Sequence, residues 1–220
     1  MLVVVLVIVV SVLFSSCQCA PTERARTTLL PGAAPLPTGF ALAAPWESGE
    51  RHRIIRGYNV ATHTGVDRPL RTNDAYALDF DLDTGDAVLP VAPGRVRFAG
   101  EALGGFAGFG NIVLIDHVDG ISSLYAHLDS VAVDRGAIVS RQTQLGHAGG
   151  SGEVRPHLHL ALYRNVRLAD DSTSAGPYGG VSVLPEPFAA DHHLGLARGQ
   201  CIESGKQGAG YNRRRRLARV

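Results

Sequence analysis

Residues 156–160 read PHLHL, and this alternation limits what the segment can form. In a β-strand, residues two apart point to the same face, whereas a helix would separate them by about 200°. A strand would therefore bury Leu158 and Leu160 on one face and bring His157 and His159 to a common point on the other. A half-buried strand with two solvent-facing histidines would show the same pattern, so the motif alone does not establish a site.

Glycine and proline punctuate the rest of the chain, with 26 and 12 copies in 220 residues. Frequent glycine and proline are typical of short strands joined by tight turns, and long amphipathic helical patterns are hard to find. The segment YALDFDL (76–82) alternates between large apolar side chains and a second face that carries Asp79 and Asp81. It therefore predicts a strand with acids on its polar face.

Residues 111–128 predict a hairpin, because two β-rich runs flank the tripeptide VDG and Gly120 suits a positive φ. The glycine-rich segment GGFAGFG (104–110) precedes a strand rather than a helix, so we interpret it as a flexible rim and not as a phosphate loop. By strict alternation, one face of the second hairpin strand would carry Ser123, Tyr125 and His127.

Charge is nearly balanced, with 21 lysines and arginines against 20 acidic residues, and 45% of the residues are hydrophobic. This composition is that of a globular protein and gives no sign of a nucleic-acid partner. The basic tail YNRRRRLARV would support only a weak contact with an anionic surface.

The N-terminal segment predicts export. Residues 2–14 are apolar apart from one serine, and the run is shorter than the roughly 20 residues that span a membrane, as in a signal peptide. The stretch LFSSC resembles a lipoprotein cleavage box ending at Cys17, where a lipid would anchor the chain. Cys19 and Cys201 would then remain and could pair in an oxidising compartment. Cleavage after Ala20 would instead leave Cys201 alone, and the sequence does not decide between the two.

Five polar residues are candidates for a common site: His63, Asp79, His127, His157 and His159. Zinc binds nitrogen and oxygen ligands, and a catalytic zinc site keeps three protein ligands and one open position. Two histidines and one carboxylate satisfy that count. The two remaining histidines could act as acid–base groups near neutral pH.

The order and spacing of several short motifs resemble the lysostaphin-type (LytM-like) zinc metallopeptidases, which cut peptide bridges in bacterial cell walls. The motifs run from about Trp46 to Arg164 and read GYNVATHTG, YALDF, GDAV, APGRV, FGN, YAHL, GGSG and HLHL. The resemblance implies a mainly β fold, a small antiparallel β-sheet domain with a substrate groove and few short helices.

By the same resemblance, one zinc ion (Zn²⁺) per chain would be bound by His63, Asp79 and His159. His127 and His157 would flank the reacting water and the scissile carbonyl. One of them would accept the proton of the water, and the other would stabilise the oxyanion and protonate the leaving amine. The sequence does not divide these two roles between them.

Asp67 is the alternative to Asp79 as a ligand, because it lies four residues after His63 in HTGVD, the spacing of the simplest family pattern. We prefer Asp79, which lies in a strand pattern and is followed six residues later by Gly85, as in the family. Residues 64–78 are then a loop insertion, and Asp67 is an exposed loop residue.

The remaining acids and histidines are not assigned to the site. Asp81 is expected to be solvated or to support the site through a hydrogen bond. The histidines outside any motif are expected at the surface: His52, His117, His147, His192 and His193.

The predicted organisation has four parts: a signal peptide or lipoprotein signal (1–19), a Pro-rich linker (20–38), a metallopeptidase domain (39–190) and a C-terminal extension with a basic tail (191–220). The predicted function is a zinc metalloendopeptidase that hydrolyses peptide cross-links or stem peptides of bacterial peptidoglycan. The protein would be an exported monomer. It would lie in the periplasm, be anchored to the outer membrane as a lipoprotein, or be secreted. The alternative is a catalytically silent member of the fold that binds cell wall or regulates another hydrolase. A structural zinc site would need a fourth ligand, and Cys201 lies outside the motif region.

Overall fold

The computed structural model describes residues 36–40, 42–58, 74–166, 181–185 and 201–204. Within these ranges the strands are β1 Arg51–Arg56, β2 Leu78–Phe80, β3 Ala87–Val88, β4 Gly94–Glu101, β5 Asn111–Asp116, β6 Ile121–Val131, β7 Ile138–Val139, β8 Gly146–Ala148, β9 Leu158–Arg164, β10 Val181–Val183 and β11 Cys201–Glu203. Two short 3-10 helices, Gly104–Phe109 and Val118–Gly120, precede β5 and β6. Among the described residues, no helix is long and apolar enough to cross a membrane.

The described strands form one antiparallel sheet. Its main order is β11-β1-β2-β9-β6-β5-β4-β7, while β10 also pairs with β9 and β8 pairs with both β3 and β6. The predicted mainly β, antiparallel fold with few short helices is confirmed. The predicted hairpin is also present as β5 and β6, and its turn places Asp119 and Gly120 at φ values of 59° and 69°.

The central strands are apolar on both faces because the sheet carries a core on each side. The larger core buries the apolar face that alternation predicts for β2 and β9 and their flanks: Tyr76, Leu78, Phe80, Leu82, Leu158 and Leu160. A smaller cluster covers the opposite face: Ala77, Ile112, Leu114, Leu124, Ala126, Ala161 and Tyr163. Burying one large apolar side chain contributes roughly 1.5–3 kcal/mol, so the two cores together hold β2, β9 and β6 in a defined register.

The edge strand β11 lies within the predicted C-terminal extension. It pairs with β1, with Cys201 opposite Arg53, so the extension contributes to the sheet. Cys201 is disulfide-bonded.

Three histidines that were expected at the surface are half-buried in the structure and hydrogen-bonded. The ring of His52 packs edge-on against Trp46 at 4.8 Å, and its Nδ1 lies 2.9 Å from the carbonyl oxygen of Asp81. His117 and His147 make similar bonds, to a backbone carbonyl and to a serine hydroxyl. Burial lowers the pKa of His117. The prediction that these histidines lie at the surface is wrong. Their contacts with an aromatic ring, backbone carbonyls and a hydroxyl are tertiary, and the neighbouring sequence does not predict them.

Candidate active site

The register between β2 and β9 places two of the three predicted zinc ligands side by side. Asp79 is the direct cross-strand partner of His159, so both side chains leave the sheet on the same face. Both residues are buried, with 1% and 4% of their surface exposed. His159 Nδ1 lies 2.9 Å from Asp79 Oδ1. The face is that of the smaller apolar cluster, since Ala77 and Ala161 flank the pair along their strands.

His157 lies just before β9 and joins the same face, as two-residue alternation predicts. Its backbone N–H donates to the carbonyl oxygen of Gly149 at 3.1 Å, and its Nδ1–H donates to the carbonyl oxygen of Arg155 at 2.6 Å. Because a carbonyl oxygen only accepts, the neutral ring keeps its lone pair on Nε2. That Nε2 lies 3.6 Å from Asp79 Oδ2, so the basic nitrogen of His157 is directed to the site.

The position of His127 differs from the prediction that it shares a strand face with Ser123 and Tyr125, and that prediction is wrong. Ser123 and Tyr125 are fully buried on the face of the larger core and bond to each other at 3.0 Å. The pairing of β5 with β6 shifts register between Asn111 and Val113, and His127 adopts a φ of 64°. This bulge adds one residue to β6, and an added residue moves the next side chain to the other face.

The bulge brings His127 to the other two histidines of the site. Its ring centroid lies 4.5 Å from that of His157 and 5.9 Å from that of His159. A left-handed backbone at a non-glycine residue costs on the order of 1–3 kcal/mol, which the surrounding sheet must offset. Strain of this kind, confined to one residue of the cluster, is a further reason to regard the cluster as functional.

Ser151 fixes the ring of His127. The Nδ1–H of His127 donates to the backbone carbonyl of Ser151 at 3.1 Å, which leaves the lone pair of the neutral ring on Nε2. The Ser151 hydroxyl donates to the carbonyl of Leu128 at 2.7 Å and accepts from the backbone N–H of Asn111 at 2.9 Å. His127 and His157 are thus both oriented by carbonyls of the loop between β8 and β9.

Two glycines allow the predicted rim to contact that loop. A Cβ at Gly110, where φ is 62°, would lie 2.3 Å from Ser151, and a Cβ at Gly152, where φ is 82°, would lie 2.4 Å from the carbonyl oxygen of Gly108. Only glycine is compatible with both the positive φ and this close approach. The rim therefore touches the site, and the ring of Phe109 lies 5.5 Å from that of His159.

Three residues near the Asp79–His159 pair were not predicted as site residues from the sequence. Arg56 at the end of β1 donates from Nη1 to Asp79 Oδ2 at 2.9 Å. The Tyr163 hydroxyl donates to Asp74 Oδ1, and Asp74 Oδ2 lies 3.9 Å from His159 Nε2. Continuing the alternation of PHLHL along β9 identifies Tyr163 as a residue on the site face, but no local pattern identifies the other two.

The charges of the cluster act on its pKa values in different directions. Burial lowers the pKa of His127 to about 3, with further lowering from the neighbouring His159 and His157. Burial also lowers the pKa of His157. For His159, burial acts in the same direction, but the hydrogen bond and charge of Asp79 outweigh it and raise the pKa.

Asp81, the other acid of the YALDFDL segment, is half-exposed and forms an ion pair with Arg53 at 3.0 Å.

The donor atoms present fit two positions of a zinc site. His63, the third predicted ligand, lies outside the described residues, as do Asp67, His192 and His193. Accordingly, no group of three histidine, cysteine or acidic side chains within the described part of the chain could hold a metal. The nitrogen of His159 and the oxygen of Asp79 are ligand types that zinc binds, and two ligands of one tetrahedral zinc lie roughly 3.4 Å apart. Their separation of 2.9 Å is close to that distance.

Comparison with known proteins identifies the family. Residues 73–171 match the model of peptidase family M23. The chain is 31% identical over 166 residues to the cell division protein DipM of Caulobacter vibrioides, an alignment of 75% of this chain and 25% of that protein. It is 33% identical over 85 residues to the murein hydrolase activator NlpD of Escherichia coli, covering 39% of this chain and 22% of that protein. It is also 33% identical over 78 residues to lipoprotein NlpD of Yersinia enterocolitica, covering 36% and 77%.

The chain spans about a quarter of the length of the first curated relatives that it matches. Among solved structures, it is similar to the catalytic domain of lysostaphin from Staphylococcus simulans, with 25% identity, a TM-score of 0.40, and coverage of 57% of this chain and 86% of that one. The matched family segment contains Asp79, His127, His157 and His159, the four residues that the sheet brings together. The chain therefore belongs to peptidase family M23.

Proposed function

We propose that this protein is a zinc metalloendopeptidase that hydrolyses peptide cross-links or stem peptides of bacterial peptidoglycan. The observation that carries the proposal is the convergence of His127 and His157, from separate strands, on the buried pair of Asp79 and His159. A site that only held a metal would not require two further imidazoles with their Nδ1 atoms bonded to backbone carbonyls. Membership of a peptidase family supports the same conclusion.

His63, Asp79 and His159 would hold the zinc. The chemistry that zinc would supply when bound is a lowered pKa of water and polarisation of the substrate carbonyl. Burial of Asp79 and His159 keeps competing water away from their donor atoms.

The two remaining histidines would move the protons of the reaction. As the water oxygen bonds to the carbonyl carbon, Nε2 of one histidine accepts a proton from the water. The other histidine, which enters the reaction with a proton from solvent on its Nε2, donates from that N–H to the developing oxyanion. As the C–N bond breaks, it gives this proton to the leaving nitrogen, and the proton accepted from the water returns to solvent. All the described groups come from one chain, so a monomer suffices.

A second candidate function is regulation of another hydrolase without catalysis. It is favoured by the identity of 33% to a protein named a murein hydrolase activator. Such a protein would bind cell wall but would not need the paired histidines His127 and His157.

Digestion of purified sacculi separates these functions. We expect the zinc-loaded protein alone to release peptides whose masses correspond to hydrolysis of one amide bond, and we expect a chelator to stop the release. The products are identified by mass spectrometry of muropeptides. If the protein releases nothing alone but increases the products of a separate cell-wall hydrolase, the regulatory function replaces the enzymatic one.

We further propose that the protein is exported and carries a lipid on Cys17. The apolar residues 2–14 and the LFSSC stretch support this, as does the relative named a lipoprotein. The disulfide of Cys201 adds an argument, because cleavage after Ala20 would remove both other cysteines, whereas cleavage before Cys17 keeps Cys19. Intact-mass analysis of membrane-extracted protein should show a chain that begins at a lipid-modified Cys17. A mature chain that begins at Pro21 would contradict the anchor.

A further inference from the structure

A cleft of about 600 Å³ opens beside His157. Its lining residues come from the end of β1 and from the loop before β9: Ile55, Arg56, Val154, Arg155, Pro156 and His157. Among the described lining residues there are two arginines and no acidic residue. A substrate whose scissile bond lies at His157 would therefore place its neighbouring groups next to two positive charges.

The Arg56 guanidinium is held at the inner side of this cleft. Its side chain is 48% exposed, and its Nη1 is bonded to the buried carboxylate of Asp79 at 2.9 Å. One end of the guanidinium is thus fixed, which reduces the entropy lost when another anion binds to the same group. Because Arg56 also touches a proposed zinc ligand, it is unsuitable as the main test of an anion site.

Arg155 is exposed, and within the described part of the chain its guanidinium has no ion-pair partner. Its backbone carbonyl holds the Nδ1–H of His157 at 2.6 Å, so the residue is anchored directly beside the proposed catalytic imidazole. The acid nearest in sequence, Glu153, is exposed and is not part of the cleft lining. Arg155 is therefore free to pair with a group of the substrate.

We propose that this arginine cleft binds a carboxylate of the substrate peptide, with Arg155 as the specificity-determining residue and Arg56 in support. A guanidinium presents paired N–H donors that match the two oxygens of a carboxylate. The cleft would favour stem-peptide cross-links, which carry free carboxylates close to the cross-linking amide, over uncharged glycine bridges. The inference rests on the proposed function, since it assumes that the substrate is a peptidoglycan peptide.

The test compares two soluble cross-linked muropeptides that differ only in whether their peptide carboxylates are free or amidated. Binding is measured by fluorescence anisotropy at low ionic strength, with the zinc-loaded His127→Ala protein so that the ligands are not consumed. We expect the free-carboxylate form to bind about tenfold more tightly, the usual effect of one hydrogen-bonded ion pair. Raising the salt concentration should reduce this preference, because the cleft is open to solvent.

Substitution of Arg155 shows whether the cleft causes the preference. In Arg155→Met, which keeps the aliphatic stem, the free form should bind about tenfold more weakly while the amidated form is unchanged. Arg155→Lys, which keeps the charge but loses the paired donors, should give an intermediate value. The matched control is Arg95→Met, because Arg95 is also exposed but lies on β4, three strands from β9, and should leave both affinities unchanged.

Equal affinity for the two ligands, no detectable binding of either, or equal weakening of both by Arg155→Met would each overturn the arginine cleft. The proposed function is assessed separately, by cleavage of both muropeptides with the unsubstituted protein. Failure to cleave either one would contradict the endopeptidase function, while the binding preference would still be measurable.

Discussion

Replacing Asp79 with alanine is expected to remove zinc from the protein and to abolish peptide hydrolysis. Asp79 is the buried register partner of His159, and its Oδ1 lies 2.9 Å from His159 Nδ1. Loss of a supporting hydrogen bond near a metal typically weakens metal affinity by about 10–100-fold, and loss of a ligand should exceed that range. Zinc per chain is measured by elemental analysis after dialysis, and zinc affinity is measured by competition with a chromogenic chelator.

Asp67→Ala provides the matched control for this substitution. Asp67 has the HxxxD spacing of the simplest family pattern, whereas Asp79 has the strand pairing with His159. We expect Asp67→Ala to keep one zinc per chain and normal turnover. The opposite pair of results, with zinc retained in Asp79→Ala and lost in Asp67→Ala, would move the ligand to Asp67.

The Asp79→Ala protein should remain folded, so its zinc content and activity can be measured. The two apolar cores lie around the site and do not include the carboxylate. Removing Asp79 does leave Arg56 without its partner, but the Arg56 side chain is 48% exposed and can be solvated. Far-UV circular dichroism should therefore remain that of the unsubstituted protein, which separates a lost ligand from a lost fold.

Replacing His127 or His157 with alanine is expected to leave zinc bound and to reduce turnover strongly. A positioned acid–base group contributes about 100–10,000-fold to rate, and loss of an oxyanion donor costs about 100–1,000-fold. The rings lie 4.5 Å apart, so both contact the same small reacting centre. The double variant should lose less than the product of the two single losses if both act on one proton-transfer step. The measurement is kcat/KM on a defined muropeptide, with zinc content determined for each sample.

His147→Ala is the control for removal of an imidazole from the same sheet. His147 lies on β8, and its Nδ1 is 2.8 Å from the hydroxyl of Ser130, so it serves a structural contact. The turnover of the His147→Ala protein should stay near that of the unsubstituted protein. Near-normal turnover of a zinc-loaded His127→Ala or His157→Ala protein would refute the catalytic role of that histidine.

The alternation of side chains along single strands could be determined from the sequence alone. The faces of residues 76–82 and of PHLHL follow from the two-residue period of a strand, and the structure has Leu158 and Leu160 in the core with His159 opposite. These inferences about strand faces agree with the structure because they depend on local backbone geometry and on burial of one apolar face. The preference for Asp79 as a ligand came from its strand pattern and from Gly85 six residues later, and it stays a prediction.

Contacts between distant segments were decided only by the tertiary structure. His127 reaches the site through a bulge with a positive φ, and strict alternation placed it on the wrong face because one added residue reverses all later directions. Arg56 meets Asp79 only because β1 pairs with β2, and Arg155 lines a cleft formed with the end of β1. Such pairings arise from the packing of the whole sheet. The sequence next to each partner therefore does not predict them.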